Sequence, residues 1–208
     1  KMDSDPTKRF SDKVAFYDKF RPRYPEALIE FLKTETGLQS TSAIADIGSG
    51  TGISSEIFLK NGNKVFAVEP NNEMRLAAEM KLGKYKNYSS IKGTAETTAL
   101  DKSNVDFIVC AQSFHWFDKE NSKKEFLRIL RPGGWIILTW NERKTSSSDF
   151  LKEYDNLLLR VSDDYENVNH TNMTNDSMEV FEDFFGMDNF KLKIFYNEQV
   201  FDRDGLIG

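Results

Sequence analysis

The stretch "IADIGSGTG", residues 44–52, constrains the fold more than any other part of the chain. It places a short apolar run, Ala43–Ile47, directly before three glycines at alternate positions. A strand that leads through a glycine-rich turn into a helical pattern is typical of the first unit of a parallel α/β sheet. Glycine allows unusual backbone dihedrals there and lets a ligand approach the main chain. We therefore expect this loop to support a cofactor.

Strand and helix patterns alternate along the middle of the chain. The predicted strands are Ala43–Ile47, Lys64–Val68, a short run near Ser90–Lys92, Val105–Ala111 and Trp135–Trp140. The predicted helices between them are Ile53–Lys60, Glu73–Leu82 and Lys119–Leu130, with a turn at 131–134 before the fifth strand. Strands separated by helix-length segments indicate parallel pairing with right-handed crossovers. The sequence thus predicts an α/β fold with a doubly wound, mostly parallel sheet.

Three further segments flank this alternation. Residues 10–33 are predicted to be helical in two pieces interrupted by Pro22 and Pro25, within an N-terminal helical lid over residues 1–40. After a cofactor-binding core over 41–141, a helical insertion is predicted over 142–189, where "EVFEDFFG" places Val180, Phe181, Phe184 and Phe185 at helical spacing. From Phe190 an alternation of period two predicts a sixth strand within 190–208. We expect one domain.

Composition limits the class of partner and of site. The 208 residues carry a net charge of -5, which argues against a broad surface for nucleic-acid phosphate and favours a small-molecule partner. Neither a membrane-spanning run nor a signal-peptide core is present in the sequence, so we expect a soluble, cytoplasmic protein. The single cysteine, Cys110, rules out a disulfide framework and a thiolate metal cluster, and we expect no metal site.

The glycine loop fits neither common phosphate-binding pattern. Ile53 stands where a dinucleotide fold requires its third glycine, and the lysine of a P-loop is missing. Asp46 precedes the loop and no basic residue follows it before Lys60, which favours an uncharged or cationic ligand. Glu69 ends the second predicted strand, and an acid at that position can accept both hydroxyls of a ribose.

Four motifs, "DIGSGTG", "VEP", "GTAE" and "LRPGGWIIL", resemble the class I S-adenosylmethionine-dependent methyltransferases over roughly residues 46–140. Two more, "YDKFRPRYP" at 17–25 and "AQSFHWFD" at 111–118, resemble a narrower branch, the type 11 and trans-aconitate-methyltransferase-like enzymes. The resemblance implies a Rossmann-like fold. It also implies S-adenosyl-L-methionine as cofactor and S-adenosyl-L-homocysteine as product.

The resemblance also implies a cofactor site. Its predicted residues are Asp46, Gly48, Ser49, Gly50, Glu69, Pro70, Met74, Ala95, Glu96 and Gln112. The glycine loop is expected to lie along the methionine part of the cofactor, and its main-chain N–H groups are expected to donate to the cofactor carboxylate. Glu69 is expected to bind the ribose, Ala95 and Glu96 to flank the adenine, and the apolar side chains after Glu69 to cover the purine.

Methyl transfer from a sulfonium is a displacement that depends mainly on placing the acceptor in line, and it needs a base only if the acceptor carries a proton. His115 is a candidate general base, with the alternative that it only orients the following helix or bonds to the main chain. Trp116 and Phe114 are candidates to flank the cationic methyl, although core packing explains Phe114 equally well. Ser113 is a further candidate for acceptor contact.

The N-terminal motif predicts a lid. Tyr17, Arg21, Arg23 and Tyr24 are expected to close over the cofactor, with one arginine pairing a carboxylate of cofactor or substrate. The alternative is that these arginines lie at the surface without such a role. Members of the resembled family continue past the sixth strand, whereas this chain ends at "FDRDGLIG". We expect a terminus that is either disordered or truncated, with part of the acceptor pocket missing.

The sequence therefore predicts a methyltransferase that acts on a small-molecule acceptor, for which a carboxylate oxygen is one candidate. Three alternatives stay open at this stage. They are a nicotinamide-dependent reductase, which Ile53 disfavours, a regulatory module that binds the cofactor without turnover, and a methyltransferase that acts on tRNA or protein. The oligomeric state does not follow from the sequence.

Overall fold

The computed structural model describes residues 21–142, 144, 147–161 and 176–200. They form two compact units, with boundaries after Trp140 and after Lys193. The first unit comprises the described residues up to 140 and those from 194 on, and the second lies between them. The second unit thus falls where the sequence predicts the insertion at 142–189.

A five-stranded sheet forms the centre of the first unit. Its elements are α1 (Ala27–Thr36), β1 (Ala43–Ile47), α2 (Ile53–Lys60), β2 (Lys64–Val68), α3 (Asn72–Leu82), β3 (Tyr88–Ile91), β4 (Val105–Ala111), α4 (Lys119–Ile129) and β5 (Leu130–Thr139). The strand order is β3-β2-β1-β4-β5, and every pairing is parallel. The predicted doubly wound parallel sheet is confirmed. The winding reverses between β1 and β4, which is where open sheets of this kind bind ligands.

The hydrophobic core lies around β1 and the helices against it. All five residues of β1 are buried, as expected for the central strand of a sheet covered on both faces. Helix α1 buries Leu28, Ile29 and Leu32, which recur at helical spacing, and each stabilises the fold by about 2 kcal/mol. The helix ends at Gly37, which adopts a left-handed conformation and donates its N–H to the carbonyl of Leu32. The helix predicted after Pro25 is thereby confirmed.

The predicted turn at 131–134 is instead part of strand β5. Val105 pairs with Leu130 and Phe107 with Trp135, so the residues between Leu130 and Trp135 form an irregularity in the ladder. Arg131 fixes it by pairing with the Asp106 carboxylate at 2.8 Å, whose second oxygen accepts from the N–H of Ala43 at 2.7 Å. The proline and glycines therefore bend the strand without ending it.

The sixth strand predicted from Phe190 is wrong for residues 190–200, which form neither helix nor strand. The alternation suggested one buried face, yet Leu192, Ile194 and Tyr196 are 64%, 79% and 77% exposed. The side chain that does pack is Phe195, whose ring meets that of Phe31 on α1 at 5.5 Å. Period-two alternation does not make a strand without a neighbouring strand to pair with, and no described strand pairs with this segment.

The second unit contains α5 (Asp149–Val161) and α6 (Asp176–Phe185). Helix α6 confirms the helix predicted from "EVFEDFFG", and Phe184 on it is buried. Phe181 and Phe185 contact Phe190 at ring distances of 5.9 and 6.2 Å, which makes an aromatic cluster within this unit. Over the described part of the chain, no helix combines the length and the apolar character that crossing a membrane requires.

Candidate functional site

The glycine loop continues the hydrogen-bond ladder of β1 into the neighbouring strand. The N–H groups of Gly48 and Ser49 both donate to the carbonyl of Val68, at 2.8 and 3.2 Å. Further along, Gly50 donates to the Glu69 carboxylate and Gly52 to the carbonyl of Ser49. These four amides already have protein acceptors. The expectation that loop amides meet a cofactor carboxylate stays a prediction, and for these four it would require each N–H to share or exchange its present acceptor.

The three glycines of the loop meet different requirements. A Cβ on Gly48 would lie 2.6 Å from the Cβ of Ser113, so the segment after β4 leaves no space for a side chain. A Cβ on Gly52 would overlap the side chain of Leu82 on α3. Among the described residues, a Cβ on Gly50 would meet only the sulfur of Met74, at 3.8 Å. Protein packing thus explains two of the glycines, and Gly50 is the one that presents open backbone.

Glu69 connects the ends of the two strands. Its Oε2 accepts from the N–H of Gly50 at 2.9 Å and its Oε1 from the N–H of Asn71 at 2.8 Å. The side chain is buried, and burial raises its pKa while the two backbone bonds lower it. Each carboxylate oxygen has a second lone pair, so both oxygens can accept one more donor such as a ribose hydroxyl. The predicted ribose residue therefore also holds the glycine loop.

Asp46 lies fully buried in β1, two residues before the loop. Its Oδ2 accepts from the hydroxyls of Ser54 and Ser55 on α2, both at 2.6 Å, while Oδ1 has no hydrogen-bond partner among the described residues. Burial raises the pKa of this carboxyl to about 6, although the serine hydroxyls oppose the shift. An orphaned buried acceptor beside a loop without basic residues is suited to a ligand that brings donors or positive charge.

The predicted adenine residues lie in the loop after β3. Ala95 is buried, and Glu96 is half-buried with its Oε1 accepting from the N–H of Asp118 at 3.0 Å. Met74, on the first turn of α3, is buried with its sulfur nearest to the open face of Gly50. Pro70 is half-buried in the turn between Glu69 and α3. An acid, a buried methyl group and two apolar side chains are thus available for a purine.

The segment after β4 closes the other side of the switch point. Gln112 has a positive φ of 58°, which is uncommon for a residue with a side chain, and its N–H donates to the carbonyl of Thr139 at 3.0 Å. Ser113 is buried and its hydroxyl donates to the carbonyl of Ile47 at 2.7 Å. The hydroxyl predicted for acceptor contact is thus committed to the end of β1.

A short 3₁₀ turn, Phe114–Trp116, carries the candidate catalytic residue. Phe114 is buried beneath Lys119, whose ammonium donates to the carbonyls of Phe114 and Phe117 at 2.8 Å each. This burial agrees with the core-packing alternative for Phe114. His115 is half-buried with its ring 4.6 Å from that of Trp116, and Trp116 is 40% exposed. The turn is therefore fixed by its backbone contacts and presents this pair of rings.

The lid residues are only partly described. Tyr17 lies outside the described residues, and Arg21 is half-buried. Arg23 pairs with Glu56 of α2 at 3.4 Å, and Tyr24 packs against the hydrophobic core around α1. The structure therefore seats this segment beside the helix that follows the glycine loop, and closure over a cofactor stays a prediction.

Two residues at this edge are missing from the predicted set. Asn71 caps α3 by accepting from the N–H of Met74 at 3.0 Å and also donates its own N–H to Glu69. An asparagine just before a helical pattern is a helix-start signal, so the sequence carried this information. Lys119 supports the turn that carries His115 through backbone carbonyls, and nothing local in the sequence indicates such contacts.

Comparison with known proteins agrees with this geometry. Residues 45–138 match the family model of the methyltransferase domain, type 11. An uncharacterised methyltransferase-like protein of Schizosaccharomyces pombe is 34% identical over 137 residues, which are 65% of this chain and 52% of that protein. The chain thus spans about half the length of this curated relative.

Two solved structures are similar to the chain. One, of an S-adenosyl-L-methionine-dependent methyltransferase from Methanococcus maripaludis, has a TM-score of 0.62 at 20% identity over 84% of this chain and 78% of its own. The other, a methyltransferase of an antibiotic biosynthesis pathway from Anabaena variabilis, has a TM-score of 0.59 at 28% identity over 77% and 62%. The sequence match to the methyltransferase domain covers residues 45–138, and the similarity to these two structures agrees with the five-stranded parallel sheet.

Proposed function

We propose that this protein transfers a methyl group from S-adenosyl-L-methionine to a small-molecule acceptor by in-line displacement. The observation that carries the proposal is the bond between Glu69 and Gly50 at the switch point of the sheet, 2.9 Å long. It joins Glu69, the predicted ribose acid, to Gly50. Gly50 is the one glycine of the three at which a Cβ would point into open space among the described residues. The acceptor groups also suit the cofactor, because Asp46 and Glu69 are buried carboxylates and the loop has no basic residue to repel a sulfonium.

In this proposal each residue has a defined task. The open backbone at Gly50 holds the methionine part, and the remaining lone pairs of Glu69 accept the ribose hydroxyls. Ala95 and Glu96 flank the adenine, while Met74 and Pro70 cover it. Asp46, with its orphaned oxygen, supplies negative charge beneath the loop. Bound S-adenosyl-L-methionine supplies the electrophilic methyl group.

The acceptor site is proposed at the fixed turn after β4. His115 and Trp116 lie together there and are positioned by Lys119 and by the Ser113 bond to β1. A carboxylate acceptor arrives ionised and needs only to be aimed, whereas an acceptor that carries a proton needs a base, and His115 is the candidate. The solved relative from an antibiotic biosynthesis pathway supports an acceptor of metabolite size.

The test is transfer of a labelled methyl group from S-adenosyl-L-methionine to three acceptor classes: small carboxylic acids, bulk tRNA and a protein mixture. The proposal expects label in a small acid and none in the two macromolecules. Glu69→Ala should abolish transfer. Glu73→Ala should not, because Glu73 is an exposed acid in the first turn of α3. Label in tRNA or protein would overturn the proposed acceptor class. Cofactor binding without transfer to any acceptor would instead favour the regulatory module.

His115 is tested by the pH dependence of transfer. If His115 acts as a base, His115→Asn lowers kcat by roughly 100-fold or more and removes the rise of kcat with pH near neutrality. If His115 only orients the helix that follows, the variant should lose stability with an unchanged pH profile. Trp116→Phe is the control for the pH profile alone, because it changes the neighbouring ring of the proposed acceptor site and leaves the imidazole in place. Its kcat should still rise with pH near neutrality.

A further inference from the structure

A buried carboxylate outside the proposed site binds the loop that carries the adenine residues. Glu125 lies in the middle of α4 and is nearly buried. Its Oε1 accepts from the N–H of Thr98 at 2.9 Å and from the hydroxyl of the same threonine at 2.5 Å. Thr98 itself is fully buried. One carboxylate therefore takes both donors of one residue in the loop after β3.

Arg128 completes the connection one turn further along α4. Its guanidinium donates to both oxygens of Glu125, at 2.7 and 2.8 Å, and also to the carbonyl of Leu100 at 2.6 Å. Hydrogen bonds from Arg128 and Thr98 lower the pKa of Glu125 to about 2, so the side chain is ionised at neutral pH. Charge-assisted bonds of this kind are stronger than neutral ones. The loop is thus fixed to α4 at Thr98 and at Leu100.

The same loop reaches α4 at a third point, which belongs to the proposed site. Glu96 accepts through Oε1 from the N–H of Asp118, the residue that caps α4. Between these points the loop is compact, with Thr94 and Thr97 exchanging backbone bonds at 3.0 and 3.3 Å. Ala99 then adopts a left-handed conformation with φ of 60°, which only surrounding contacts can hold. The position of Glu96 therefore depends on where Thr98 is held.

We propose that Glu125 is a positioning residue for adenine recognition, which holds the 94–100 loop on α4 so that Ala95 and Glu96 face the purine. This inference rests on the proposed function, because it takes the loop after β3 to be the adenine side of the site. Glu125 itself contacts no cofactor atom in this account. Its effect passes through Thr98, two residues from Glu96.

The test compares ligands that each lack one hydrogen-bonding group. S-adenosylhomocysteine, its analogue with hydrogen in place of the adenine amino group, and its 2′-deoxy analogue are titrated into each protein by calorimetry. The wild type should bind S-adenosylhomocysteine at least tenfold more tightly than the desamino analogue, because a hydrogen bond to a charged group contributes about 1.5–3 kcal/mol. The 2′-deoxy analogue reports on Glu69 and serves as the ligand control.

Glu125→Gln is the main variant, because it keeps the shape of the side chain but replaces one acceptor oxygen with an NH₂ group. That NH₂ group would face a donor of Thr98 or of Arg128, so at least one of these hydrogen bonds would be lost. In Glu125→Gln, the preference for S-adenosylhomocysteine over the desamino analogue should fall below about threefold. The preference for S-adenosylhomocysteine over the 2′-deoxy analogue should stay at the wild-type value. Thr98→Val, which removes only the hydroxyl, should give a smaller change in the same direction. Glu120→Gln is the matched protein control, since that glutamate pairs with Lys124 on the exposed side of the same helix.

The outcomes separate the possibilities. An unchanged preference over the desamino analogue in folded Glu125→Gln overturns the inference, and so does an equal loss of both preferences, which indicates general destabilisation. If Glu125→Gln does not fold, Thr98→Val decides by the same two ratios. If the wild type does not bind S-adenosylhomocysteine at all, the proposed function fails, and this inference fails with it.

Discussion

Alanine at Gly48 and at Gly50 should separate the two reasons for glycine in the loop. Both residues have positive φ, of 69° and 55°, so alanine costs roughly 1 kcal/mol of backbone strain at either position. At Gly48 the new Cβ would also lie 2.6 Å from that of Ser113. Overpacking of this kind adds about 1–3 kcal/mol, because Ser113 is held by its bond to Ile47. At Gly50 the Met74 sulfur, at 3.8 Å, is the only contact that the described part of the chain provides.

The expected results therefore differ in kind. Gly48→Ala should lower the free energy of unfolding by about 2–4 kcal/mol. Gly50→Ala should lower it by only about 1 kcal/mol, yet weaken S-adenosylhomocysteine binding at least tenfold, because its methyl group occupies the open face of the loop. Gly37→Ala is the matched control, since Gly37 has a φ of 71° and no described atom would lie within 4 Å of a Cβ there.

Urea denaturation and calorimetric titration of the three variants provide the assay. Gly37→Ala should lose about 1 kcal/mol of stability and keep wild-type affinity. The reasoning is refuted if Gly48→Ala is no less stable than Gly37→Ala, since the contact with Ser113 would then carry no cost. It is refuted equally if Gly50→Ala binds S-adenosylhomocysteine as tightly as the wild type does.

Three further predictions concern buried polar groups at the same edge. Burial raises the pKa of Asp46 from 3.8 to about 6, so the folded state binds the proton more tightly than the unfolded state does. The free energy of unfolding of the wild type should therefore fall by roughly 3 kcal/mol relative to that of Asp46→Asn as the pH rises from about 3 to 7, measured by urea denaturation across that range. Ser113→Ala should cost about 1–3 kcal/mol in the same assay, because it leaves the Ile47 carbonyl without its hydroxyl donor. Asn71→Ala should cost about 1 kcal/mol through loss of the helix cap on Met74, and no change would contradict that role.

The sheet was predictable because its strands are apolar and separated by helices. The sequence boundaries Ala43–Ile47, Lys64–Val68 and Val105–Ala111 agree with the observed strands. The segment from Phe190 was not predictable in the same way. Its alternation resembles that of a strand, but pairing depends on a partner that the local sequence does not show. Likewise, the proline and the two glycines after Arg131 are typical of a turn. Only the hydrogen-bonded pairing with β4 shows that they lie within strand β5.

The positions of some candidate site residues in the fold were predictable from residue type. Glu69 after β2 and glycines after β1 follow from strand ends and from the properties of the residues. What the sequence could not show is how the loop amides are used, since Gly48 and Ser49 donate to Val68 of another strand. Glu125 was missed for the same physical reason. Its partners are 27 and 3 residues away, and only folding brings Thr98 to it.

The central claim is that the Glu69–Gly50 edge of the sheet binds S-adenosylmethionine. Calorimetric titration of S-adenosylhomocysteine into the wild type, Glu69→Ala and Glu73→Ala tests it most directly, with NAD as the control ligand. The account predicts micromolar binding by the wild type and by Glu73→Ala, loss of binding in Glu69→Ala, and no binding of NAD. Absence of binding by the wild type, or wild-type affinity in Glu69→Ala, would contradict it.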